Sequence, residues 1–250
     1  MTRRLAAEAV GTAFLVAVVV GSGIAGARLS DSAGLALLIN AFATGAGLVA
    51  LILALGPISG AQFNPAVTLC DAWLGGLRWS EAAAYCVAQV TGACAGAIAA
   101  NAMYGLAPVQ VSHHVRSAPA LWGSEALATF GLLLVIWGCV RAGRSGSAAV
   151  AVGAYIAAAY FFTSSTSFAN PAVTLGRTLT DTFSGIRPAD VVAFIPAQLV
   201  GAAAATALMR WLYPQLPARA GQAVVAHREA GEASAAAMAG RPAGARRGRL

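Results

Sequence analysis

The sequence predicts an all-α membrane protein: six transmembrane helices and two re-entrant half-helices arranged as an inverted repeat. Three observations carry this. First, 58% of the 250 residues are hydrophobic and only 10% are charged, with a mean hydropathy of +0.71. A soluble domain carries roughly a quarter charged residues, so this chain lacks the polar surface that a water-soluble protein of its length needs. Second, apolar runs of spanning length recur along the chain. Third, the hexad Asn64-Pro65-Ala66-Val67-Thr68-Leu69 returns unchanged as Asn170-Pro171-Ala172-Val173-Thr174-Leu175, 106 residues later, which marks an internal repeat.

The elements follow in order. Arg3 and Arg4 precede the first apolar run, Leu5–Ala27. That run is a full crossing rather than the short apolar stretch of a cleaved leader. A loop holding Arg28 and Asp31 leads to the second crossing, Ala33–Leu55, which Gly56-Pro57 is expected to end. Then comes the first hexad. Asn is a favoured N-cap and Pro suits the first helical position, so a helix starts there. From Asn64 to Leu74 the chain has room for about 16 Å of helix, half a bilayer. Ala82–Leu106 is the third crossing, followed by a polar loop with His113, His114 and Arg116, read as solvated. Leu121–Val140 and Ala148–Ser165 are the fourth and fifth crossings. The second half-helix starts at Asn170 and runs to about Leu179, and Val191–Trp211 is the sixth crossing. Residues 214–250, rich in Ala, Gly and Arg, are expected to form a disordered cytoplasmic tail. The membrane domain is thus residues 1–213, with repeats at about 5–106 and 121–213.

Each repeat holds three crossings, an odd number, so the second lies inverted relative to the first. The two half-helices therefore enter from opposite faces and their N-termini meet near the midplane, the logic of transport proteins built on discontinuous helices. Topology follows from charge. All sixteen basic residues are Arg. With both termini inside, residues 3, 4, 78, 141, 144, 210, 219, 228, 241, 246, 247 and 249 are cytoplasmic, and 28, 116, 177 and 187 lie outside. This positive-inside bias accounts for the net charge of +7 without a nucleic-acid partner. It places the protein in the plasma (inner) membrane, with the lipid bilayer as its surroundings.

As N-caps, Asn64 and Asn170 turn their side-chain oxygens to their own helices. Their amide N–H groups are left free to face a central cavity, where two positive helix ends converge. Such a site accepts a hydrogen-bonding neutral molecule and repels a cation or proton. Helical spacing carries Val67 and Asp71 inward from Asn64, and Val173 and Arg177 outward from Asn170. Glu8 and Glu125, the acidic residues inside crossings, each stand four before a Thr in the first crossing of a repeat. We read them as structural carboxylates that hold the unwound backbone beside the facing half-helix. A proton-coupled transporter using them is the rival reading. Cys70, Cys86, Cys94 and Cys139 sit in or beside apolar segments without metal-ligand spacing. With no nucleophile–base pair either, no enzyme, metal or cofactor is expected.

On these residues the chain resembles the major intrinsic protein family, the aquaporins and aquaglyceroporins. The resemblance rests on the two Asn-Pro-Ala motifs in inverted halves, the six crossings, and Glu8 and Glu125, and it covers roughly residues 5–213. It implies a homotetramer with a pore in each subunit, passing water or small neutral solutes passively. In most of the family an Arg follows the second motif and forms the outer filter; here the residue is Val173, and Thr174 stands where glycerol-type members usually add an Asp. Counting from the Asn residues places the filter at Thr44, Ala158, Ser167 and Val173, with no aromatic, His or Arg. That filter should be wide, with Arg177 one turn further out in the outer vestibule. A similar Val with a downstream Arg occurs in bacterial members associated with arsenic resistance. The resemblance therefore implies passage of glycerol, trivalent arsenic hydroxide or methylated arsenicals. The alternatives are a strict water channel and a purely structural membrane protein.

Overall fold

The computed structural model describes residues 1–214; most of the tail expected to be disordered lies outside them. Eight α-helices run in order: α1 (Thr2–Leu29), α2 (Ala33–Ser59), α3 (Pro65–Trp73), α4 (Trp79–Met103), α5 (Pro119–Arg141), α6 (Ser145–Phe162), α7 (Pro171–Gly176) and α8 (Pro188–Leu212). A 3-10 turn, Arg177–Leu179, continues α7. Five helices are long and apolar enough to cross a membrane: α1, α2, α4, α5 and α8. The sixth, α6, has 18 residues, or about 27 Å of helix, close to the hydrocarbon thickness.

The second crossing does not stop at Gly56-Pro57. The helix runs through Pro57 to Ser59 and ends on left-handed Gly60 (φ 90°). Pro57 sits in the last turn, where the missing N–H removes a single bond near the helix end. The remaining crossings shift by one to three residues at each end: α4 begins and ends three residues earlier than expected, and α6 does likewise.

Packing repeats with the sequence. In the first half α1 lies against α2 and α4; in the second, α5 lies against α6 and α8. Helices α2 and α6 join the halves, and each half-helix also docks on the other repeat, α7 on α4 and α3 on α8. Glycines set the spacing at these contacts. A Cβ on Gly92 or Gly96 of α4 would overlap the backbone carbonyls of Ala9 or Ala13 in α1, and one on Gly201 of α8 would overlap that of Ala126 in α5. Gly45 and Gly153 approach each other in the same way across the α2–α6 seam. Without a hydrophobic force between helices in lipid, such close backbone contact is the main source of cohesion.

The loop after α4 is better held than a solvated loop. Gln110 and Ser112 donate backbone N–H bonds to Leu179 and Thr178, at 3.0 and 2.9 Å. Buried Asn101 bonds the carbonyls of Pro108 and Leu179 and accepts from Thr180. His113, although exposed, is tied to Asp181 through both its backbone N–H (2.8 Å) and its ring (3.0 Å). These two bonds hold the Asp181 carboxyl below the usual carboxylate range.

Candidate functional site

Between the repeats runs a narrow cavity of about 50 Å³, room for only a few waters at ~10–15 Å³ each. Its apolar wall comes from Leu15, Val19, Leu48 and Ile52 in the first half and Leu132, Ile136, Val152 and Ile156 in the second. The opposite wall is the non-helical backbone before each half-helix, together with Asn64, Val67, Asn170 and Val173.

That backbone is strained in the same way twice. Ala61 (φ 47°) and Phe63 (φ 47°) adopt the left-handed region before Asn64; Ser167 (φ 51°) and Ala169 (φ 48°) do so before Asn170, with Thr166 (φ 63°) beside them. Each such non-glycine residue costs roughly 1–3 kcal/mol, so the surroundings must hold it. The two intramembrane glutamates do this. Glu8 accepts from Gln62 N (3.0 Å) and Ser59 Oγ (2.6 Å) on one oxygen, and from Phe63 N (2.7 Å) and Gln89 Nε2 (2.8 Å) on the other. Glu125 accepts from Phe168 N, from Ala169 N (both 2.9 Å) and from Gln198 Nε2 (2.6 Å). Both carboxyl groups are completely buried, and every one of their oxygens accepts at least one bond.

The half-helices begin at Asn64 and Asn170, whose Oδ1 atoms cap the N–H groups of Ala66 (2.9 Å) and of Ala172 and Val173 (2.9 and 3.2 Å). Pro65 and Pro171 take the first helical position, and Ala66 and Ala172 are fully buried behind them. The Asn amides are not wholly free. Asn64 Nδ2 donates to the Ala169 carbonyl and Asn170 Nδ2 donates to the Phe63 carbonyl, both at 2.8 Å. This reciprocal brace uses one hydrogen of each NH2 and leaves the other for the cavity that both residues line.

Of the residues expected in the filter, Thr44, Ser167 and Val173 line the cavity, whereas Ala158 does not. Ala158 is exposed on the far side of α6. The α6 residue that faces the cavity is Tyr160, its hydroxyl 3.1 Å from Thr44 Oγ1. Two residues are about 200° of helical rotation, so the count from Asn170 was two too long and landed on the wrong face. The cavity wall also carries an aromatic ring and a guanidinium outside those four positions. Phe168 lines the cavity, and so does Arg177, which is 2% exposed. The guanidinium carbon of Arg177 stacks 3.4 Å from the Phe168 ring centre, and its Nε donates to the Ser184 carbonyl. Among the described residues Arg177 forms no ion pair. A second cation, Arg116, lies 5.0 Å from the same ring and donates to the carbonyls of Gly185 and Phe183.

Comparison with known proteins decides the family. The family model described as "Major intrinsic protein" matches residues 1–167 and 146–239. The chain belongs to the major intrinsic protein family. Aquaglyceroporin AqpS of Rhizobium meliloti is 54% identical over 212 residues, covering 85% of this chain and 91% of that one. A probable aquaporin, AqpM of Archaeoglobus fulgidus, is 30% identical over 242 residues, covering 86% and 97%. The X-ray structure of the aquaglyceroporin from Plasmodium falciparum superposes with a TM-score of 0.71, covering 86% of this chain and 98% of that one. At 20% identity it shows the shared fold. The family member described here is a multi-pass membrane protein.

Proposed function

We propose that this family member is a passive channel for water and small uncharged solutes. The single observation that carries the reading is the opposed pair Asn64 and Asn170, braced to each other's loops with one amide N–H of each left to a narrow, largely apolar cavity. A solute there finds two hydrogen-bond donors and two positive helix ends, which suits an oxygen atom and opposes a cation. The name of the Rhizobium meliloti relative supports glycerol among the solutes.

The filter in this reading is Thr44, Tyr160, Ser167 and Val173, with the guanidinium of Arg177 supplying the charge that Val173 does not. Trivalent arsenic hydroxide, a compact neutral solute with three hydroxyls, suits the same donors. Six of the twelve arginines assigned to the cytoplasm lie in the described residues, all at one end of the bundle: residues 3, 4, 78, 141, 144 and 210. They support cytoplasmic termini and insertion in the inner membrane. Family resemblance supports a homotetramer.

The test is stopped-flow swelling of proteoliposomes against water, glycerol and arsenite. Wild type is expected to pass all three without uphill accumulation or dependence on a pH gradient. Val173→Arg adds a second guanidinium to the cavity wall and is expected to cut glycerol and arsenite flux while sparing water. Equal solute flux in wild type and variant refutes the filter assignment.

A further inference from the structure

The inverted repeat sets Asp71 and Arg177 at corresponding positions, each seven residues beyond its Asn. Gln62 and Phe168 correspond in the same way, each two residues before. At the outer end Arg177 stacks on Phe168. At the inner end Asp71 is joined to Gln62: Oδ2 of Asp71 accepts from Gln62 Nε2 at 2.9 Å. Gln62 and Phe168 both line the cavity. The two ends of one passage are therefore built from opposite chemistry on the same framework.

Asp71 is 3% exposed, and its Oδ1 has no hydrogen-bond partner among the described residues. That oxygen lies against Gly76, where a Cβ would overlap it. A buried carboxylate with one idle oxygen is costly. What it achieves is visible in the direction of the bonds around it. Glu8 accepts from Gln89 Nε2, so Gln89 turns its NH2 towards both Glu8 and Thr68 Oγ1 (2.9 Å). Thr68 then donates to Gln62 Oε1 at 2.7 Å. That hydroxyl has one hydrogen and can turn to the Asn64 carbonyl (3.1 Å) instead, so it is Asp71, which only accepts, that holds the Gln62 NH2 to one side. One hydrogen meets Oδ2. The other has no protein acceptor among the described residues and is left to the cavity.

We propose that Gln62 is a solute-binding donor in the inner half of the passage, recognising the hydroxyl oxygens of a polyol, and that Asp71 is the positioning residue that fixes its amide. Phe168 offers no such donor at the outer end, so a polyol is held differently at its two ends of travel. The inference rests on the channel reading and adds a selectivity determinant that the Asn pair and the outer filter do not contain.

The test uses the full chain in proteoliposomes, reading glycerol and water permeability by stopped flow for wild type, Asp71→Asn, Gln62→Leu and the double variant. Asn is isosteric with Asp but can offer Gln62 either an oxygen or an NH2, so the amide loses its fixed direction. Each single variant is expected to lower the glycerol-to-water ratio roughly fivefold, the effect of one hydrogen bond. The double variant should fall no further than Gln62→Leu, because Asp71 acts through Gln62. An Asp71→Asn ratio within twofold of wild type overturns the inference, as does an additive double variant. Should Asp71→Asn not fold, the exchanged pair Gln62→Glu with Asp71→Asn decides: it keeps every bond but removes the cavity donor. A lowered ratio then supports the inference, and a wild-type ratio overturns it. A wild-type protein that passes neither water nor glycerol overturns the channel reading and this inference with it.

Discussion

Replacing Glu8 by Gln tests how the unwound backbone is held. The carboxylate accepts from Gln62 N on one oxygen and Phe63 N on the other. An amide keeps one acceptor and turns the other into a donor. Whichever way it faces, one backbone N–H meets an NH2. Ser59 Oγ and Gln89 can rotate to relieve their own bonds, but the two backbone donors are fixed by the left-handed residues Ala61 and Phe63. At least one buried N–H is left unpaired, at a cost of about 1–3 kcal/mol. Glu125→Gln meets the same constraint, because Phe168 N and Ala169 N also bond different oxygens. Both variants are expected to unfold earlier in a thermal melt in detergent, by a similar amount. Both should lose water flux as the loop relaxes, with the response to a pH gradient unchanged from wild type. A Glu8→Gln protein that melts at the wild-type temperature refutes the structural reading. One whose flux loses a pH-gradient dependence seen in wild type supports the proton-carrier alternative instead.

Three further outcomes are expected. Tyr160→Ala should raise glycerol permeability in the swelling assay and lower stability by about 3–5 kcal/mol, whereas Ala158→Val on the exposed face should change stability by less than about 0.5 kcal/mol and leave flux intact. Gly92→Val drives a side chain into the Ala9 carbonyl, a backbone group that cannot swing away, and should abolish the monodisperse peak in size-exclusion chromatography. Asp181→Asn should loosen the loop between α4 and α5 and speed its cleavage by added protease. The Asp181 carboxyl is depressed by His113, so in the wild type the tether is fully present above the ordinary carboxylate range and is lost as pH falls through its lower folded value. Protease sensitivity of the wild type should therefore rise in strong acid, and that of Asp181→Asn should not.

The architecture was legible because two strong signals agree. Apolar runs of bilayer length leave little choice of element, and an identical hexad on either side of an odd number of crossings forces inversion. The site was legible in part. The motif residues and Val173 could be placed because a helix starts at each Asn, which fixes the phase. Tyr160 could not, because eight residues of coil (163–170) separate α6 from α7, and periodic counting does not carry through coil. Pro57 misled because a proline in the last turn of a buried helix disturbs little. The brace was invisible for another reason: its acceptors are the backbone carbonyls of Phe63 and Ala169, and every residue type offers one. Arg177 was placed in the vestibule by spacing, but its depth depends on stacking against Phe168, which a linear pattern does not encode.

The reciprocal brace between the two Asn residues also bears on how the chain is made. When the ribosome has extruded only the first repeat, Asn64 has no Ala169 carbonyl to bond, and the Phe63 carbonyl waits for Asn170. The nine-residue α3 also lacks α8, one of the helices it docks on. Half a bilayer of helix with an open backbone end cannot settle in lipid alone. The first re-entrant segment must therefore stay outside the hydrocarbon, or be sheltered by the insertion machinery, until more than a hundred further residues are synthesised. Completion of the pore is an event of late biogenesis, coupled to delivery of the second half.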